Sequence, residues 1–129
     1  MSVTGAKVIW HGNRFNRELR AAAVDAVEAV TDHLVTKCKE AVDTSFPPAS
    51  IPGMPPHKRT GTGQEAIMRV TLPEKVESYL VVSEDGRHMI YLENGTRLME
   101  PRPWLRPTFL ANRDIMRKIA QDKLREVFK

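Results

Sequence analysis

The sequence predicts an α+β fold: a long N-terminal helix and a C-terminal helix packed on a small antiparallel sheet, with a long proline-rich loop between. Three observations carry this expectation. Apolar residues recur at helical spacing near both ends, a proline-dense stretch interrupts the chain after residue 45, and short runs rich in branched and aromatic residues follow it. At 129 residues the chain has the length of a single domain, 1–129, able to bury a modest core.

Residues Lys7 to Trp10 read as a short edge strand closed by His11-Gly12, after which the Asn13 side chain can cap a helix. From Phe15 onward, Leu19, Ala23, Ala26, Val30, Leu34, Cys38 and Ala41 form one apolar stripe. Arg17, Arg20, Asp25, Glu28, Asp32 and Lys39 fall largely outside it. Roughly 30 helical residues make a rod of about 45 Å. Val24, Val35 and Val42 lie off the stripe, which suggests a surface awaiting a partner and hence an oligomer.

The segment from Phe46 to Gly63 cannot continue the helix, because proline lacks an amide donor and clashes with the preceding turn. It is expected to be an extended arm that orders on assembly. Three strand-like runs follow, Ala66 to Leu72, Val76 to Ser83 and His88 to Leu92. Turn residues at Pro73-Glu74 and Glu84-Asp85-Gly86 would join them into a meander. From Pro103 or Pro107 to the end, Leu105, Phe109, Ile115, Met116, Ile119, Ala120, Leu124 and Val127 define a second amphipathic helix.

Catalytic and metal chemistry find little purchase. His11, His33, His57 and His88 are scattered without ligand spacing. Cys38 sits on the apolar stripe, where a buried thiol is a small hydrophobe, and a lone cysteine excludes an intramolecular disulfide framework. "RTGTG" lacks the Lys-Ser/Thr and helix start of a phosphate loop, and reads as a flexible lead-in to the sheet. Glu84-Asp85 reads as a turn rather than a carboxylate pair. No enzyme, cofactor or metal is expected. The first ten residues lack a secretory pattern and no apolar run approaches the ~20 residues of a membrane span, so cytoplasmic synthesis is the expectation.

The formal charge of +4 is concentrated late, with nine Lys/Arg against four Asp/Glu from Arg97 onward. This raises a nucleic-acid reading, in which Arg97, Arg102, Arg106, Arg113, Arg117, Lys118, Lys123 and Arg125 line a groove and Trp104 offers a stacking platform. Interleaved Asp114, Asp122 and Glu126 argue instead for a solvated helical face.

"PGMPPHKRTGTGQEAI" (52–67), "MIYLENGT" (89–96) and "RPWLRPTF" (102–109), in this order, resemble the small tail-component family of tailed bacteriophages, the neck or tail-completion proteins of the head–tail joint. The family pattern is a Gly-x-Pro-Pro segment, a Thr-Gly lead into a strand, a Tyr-x-Glu-x-Gly-Thr turn and an Arg-Pro-aromatic-Leu-x-Pro start to a terminal helix. Gly63, Ala66, His88-Met89 and Trp104 depart from it, standing where leucine, serine, Tyr-Ala and phenylalanine are usual.

The resemblance implies a structural virion protein, made in the host bacterial cytoplasm, that forms a homo-oligomeric ring joining the head connector to the tail. Its implied neighbours are head-closure and tail-terminator or tail-tube proteins, and DNA would pass through without specific binding. A tail terminator capping the tube is the alternative within the class, and a small basic nucleic-acid-binding module the alternative outside it. Interface candidates are Trp104, Leu105, Arg102, Arg106, Glu93, Gly95, Thr96, Pro55, Pro56, Thr60 and Gly61.

Within the turn, Asn94-Gly95 suits left-handed backbone and Thr96 can hydrogen-bond locally. Glu93 can accept amides, pair with Arg97 or Arg106, or lie solvated at a strand end. Pro101, Pro103 and Pro107 stiffen the connection, so that Trp104 either anchors a contact between subunits or packs beneath its own sheet.

Overall fold

A computed structural model of the chain describes residues 12–45, 48–58 and 60–128. The predicted strand at Lys7 to Trp10 lies outside them. Helix α1 spans Gly12–Ala41, so Asn13 sits inside the first turn rather than capping it. A short helix α2 (Thr62–Ala66) leads into strands β1 (Ile67–Leu72) and β2 (Glu77–Val82). Helices α3 (His88–Asn94) and α4 (Arg106–Arg125) complete the chain. The fold is α+β, as expected, but its sheet is smaller and its helices more numerous.

The two long helices run antiparallel. The Phe15 and Phe128 rings are 6.1 Å apart, and the His33 ring nitrogen Nε2 is 3.0 Å from Asn112 Oδ1. The β1–β2 hairpin packs on another side of α1, with Ile67 opposite Val82 and Leu72 opposite Glu77 in antiparallel register. Side chains alternate along a strand. Ile67, Arg69, Leu80 and Val82 therefore turn toward α1, whereas Met68, Val70 and Tyr79 stay exposed on the outer face. Arg69 is the one charge on the inner face, and it is answered by α1: its Nε lies 2.6 Å from Asp32 Oδ1 and its Nη1 3.1 Å from Glu28 Oε2.

The third strand is a helix. Apolar runs of five residues do not by themselves distinguish strand from helix. Here the inward residues are Met89 and Leu92, three apart, while Ile90 and Tyr91 face solvent, which is helical spacing. Glu84–Gly86 forms a 3-10 turn rather than a hairpin loop, delivering the chain directly into α3. Likewise "TGQEA" is α2 rather than a flexible lead-in. The Thr60 hydroxyl accepts from Thr62 N at 3.3 Å, and Gly63 packs so close to α3 that an added Cβ would lie 2.6 Å from Met89 Sδ. Any larger side chain at this position would displace Met89.

The core comprises Cys38, Val42, Ile67, Met89 and Trp104, with Leu34, Val35, Leu80 and Leu92 packed around it. Val35 and Val42 thus belong to the core and need no partner. They fall off the α1 stripe because a second contact face, toward α3, widens the buried arc at the helix end.

Burial and the negative charge of Glu93 push the Cys38 thiol from 9.0 up to about 12, against a weaker lowering by a Thr108 hydrogen bond. An acid whose pKa is raised by folding holds its proton more tightly in the native state. Its contribution to stability is therefore complete below pH 9 and is lost as pH rises toward 12, at ~1.4 kcal/mol per pH unit. Urea midpoints measured from pH 8 to 10.5 should fall faster in the wild type than in Cys38→Ala. In native buffer Cys38 should resist a thiol reagent that modifies it rapidly in urea.

Candidate functional site

The stretch from Tyr91 to Pro107 forms a bracket between α3 and α4. Gly95 ends α3 at φ 74°, and a Cβ there would meet the Pro101 ring at 2.9 Å, so only glycine fits. The Thr96–Met99 turn closes through Thr96 N donating to Met99 O at 2.8 Å, and Leu98 N donates to the Thr96 hydroxyl at 3.2 Å. Asn94 remains helical, so of the Asn-Gly pair only Gly95 takes positive φ.

Glu93 spans the bracket. Its Oε2 accepts from Trp104 N at 2.7 Å and Leu105 N at 2.9 Å, and its Oε1 accepts from Arg106 N at 2.9 Å. These amides open α4, where a helix otherwise leaves donors unsatisfied, and the carboxylate also faces the positive end of the helix dipole. Of the fates open to Glu93 in the sequence, amide acceptor is the one adopted. Neither Arg97 nor Arg106 has a described ion pair with it.

Trp104 is 1 % exposed, and its indole Nε1 donates to Met89 O at 2.7 Å. The side chain expected as an intersubunit anchor or a base-stacking platform is a core residue of its own chain, because a satisfied indole N–H removes the main cost of burying it. Leu105 is half-buried against the same core, and Arg106 is exposed. The basic helical residues do not form a single unopposed track: Arg117 lies 3.9 Å from Asp114, and Arg125 3.9 Å from Asp122.

The proline loop, expected as an extended arm, is folded back over its described residues. Gly53 N donates to Pro101 O at 2.8 Å, and Arg102 Nε to Ser50 O at 3.1 Å. Its far end is pinned by Lys58 N donating to Thr44 O at 2.8 Å. Asp43 accepts from Lys58 Nζ at 2.8 Å and from Gln64 Nε2 at 2.9 Å, and these bonds hold its carboxyl below the usual range. Pro56 is buried, Pro55 partly so, and Thr60 and Gly61 lie where the loop meets α2. Loop, α2, α3 and bracket surround a cavity of about 480 Å³.

The structure therefore brings together Arg102, Pro56, Thr60 and Gly61 around one cavity and places Glu93, Gly95, Thr96 and Leu105 in the bracket beside it. Sequence reasoning missed Ser50, Gln64, His88 and Met89 as cavity residues. The only local signal was the Met89–Leu92 spacing, legible once α3 is taken as helical. Among the described residues no group of three or more His, Cys, Asp or Glu could hold a metal ion, and no helix is long and apolar enough to cross a membrane.

Removing the Glu93 carboxylate strands three amides. Glu93→Ala should lower unfolding free energy by ~1–3 kcal/mol without changing the denaturant slope. Trp104→Ala should cost ~3–5 kcal/mol and lower the thermal midpoint of the isolated chain. An unchanged midpoint would return Trp104 to an interface role.

Compared with models of known protein families, with curated proteins and with solved structures, the chain matches none.

Proposed function

We propose that the protein is a structural component of a tailed-phage or prophage neck, assembling as a homo-oligomeric ring between head connector and tail. The observation that carries this reading is spatial. The three sequence segments that resemble the neck or tail-completion family, separated along the chain, form one connected unit. The Glu93 carboxylate of the "ENGT" segment caps the helix begun by "RPWLRP", and the loop preceding the Pro-Pro segment is tied to that bracket through Gly53–Pro101 and Ser50–Arg102.

The uncovered apolar surface supports self-association. Met68, Val70 and Tyr79 lie exposed on the sheet's outer face, and Leu110 and Ile115 on α4 are at least half-exposed. Such surface suits an assembling subunit better than a monomer. A structural role asks only that the unit be rigid, and the bracket supplies that.

Purified protein imaged by negative-stain microscopy at increasing concentration should yield closed rings, with mass by light scattering an integral multiple of the subunit. A strictly monomeric chain at every concentration would sink the reading. Binding to DNA should be weak and without sequence preference; an affinity that falls steeply with salt would favour the nucleic-acid module instead.

A further inference from the structure

The cavity beside the bracket is built unevenly. Its described lining contains no carboxylate, yet it contains Arg102, Lys58, His57 and His88. Lys58 is already paired with Asp43, and His57 Nδ1 is engaged by Pro48 O at 2.6 Å. Arg102 differs. Its Nε is spent on Ser50 O, no described carboxylate pairs with it, and no hydrogen bond among the described residues engages the two terminal nitrogens of its planar fork.

Thr60 and Gln64 add neutral polar groups to the wall, and the rest of it is apolar, with Val42, Pro56, Met89, Leu92 and Met99. A bare inorganic anion would leave that wall facing water, whereas a volume of about 480 Å³ falls within the range of small-ligand sites.

We propose that this cavity binds a carboxylate carried on a short aliphatic stem. The carboxylate meets the Arg102 fork in bidentate fashion, while the stem lies against Met89, Leu92 and Met99. Such a group is offered either by a free aliphatic acid or by the C-terminal carboxylate of a peptide segment. The site does not depend on ring formation.

The test is a ¹H–¹⁵N NMR titration of the full chain with hexanoate, hexanol and inorganic phosphate. Two short peptides, identical except for a free or amidated C-terminal leucine, complete the set. Hexanoate or the free-acid peptide should give saturable shifts at Gly61, Gly63, Gln64 and Arg102 with Kd of ~1 mM or tighter, and hexanol, phosphate and the amidated peptide should bind roughly tenfold more weakly or worse. Whichever carboxylate binds more tightly identifies the source. Arg102→Lys, which keeps the charge and loses the fork, should weaken carboxylate binding roughly tenfold. Equal response to hexanoate and hexanol, no saturable response at the cavity, or wild-type affinity in Arg102→Lys would overturn the proposal.

Discussion

Helix α4 begins where backbone geometry leaves several amides without partners, and no side chain at its own start caps them. Glu93, eleven residues before Trp104, supplies the missing acceptors from the end of α3. Much else follows from that placement. It sets the position of Trp104, whose indole N–H then reaches the Met89 carbonyl, and Trp104 in turn fills the space among α1, α3 and β1. Pro101 and Arg102, held between the two ends of the bracket, tie the proline loop down. One carboxylate thus links the terminal helix, the core and the loop, which is why its charge is felt even at the Cys38 thiol.

The long helices were legible because period and length agree over many residues: the α1 stripe from Leu19 to Ala41 and the α4 arc admit no strand alternative. The β1–β2 hairpin was legible from branched residues flanking Pro73-Glu74. The third strand was misread for a physical reason. "HMIYL" mixes β-branched and aromatic residues with a single helical repeat, and only the buried surfaces it meets, Ile67 and Trp104, decide which pair of side chains turns inward.

The candidate site was half legible. Glu93, Gly95 and the prolines announced a rigid turn by residue type alone, since positive φ and fixed φ are local properties. Whether Trp104 faced in or out was not local; it depended on a carbonyl fifteen residues away. The loop was harder still, because proline forbids a helix without specifying what the extended chain will touch. Its anchors are backbone groups at Ser50, Gly53 and Pro101, whose partners no side-chain pattern encodes.

The antiparallel pairing of α1 with α4 gives the chain two unlike poles. At one, Phe15 meets Phe128, so the first and last described turns of the long helices emerge side by side. At the other, Val42 borders the cavity, the loop and the bracket. The length of α1, ~45 Å for 30 residues, separates them. A label attached in the first turn of α1 or the last turn of α4 therefore sits at the same pole, away from the other. Two such labels would sit side by side without disturbing the parts that give the chain its shape.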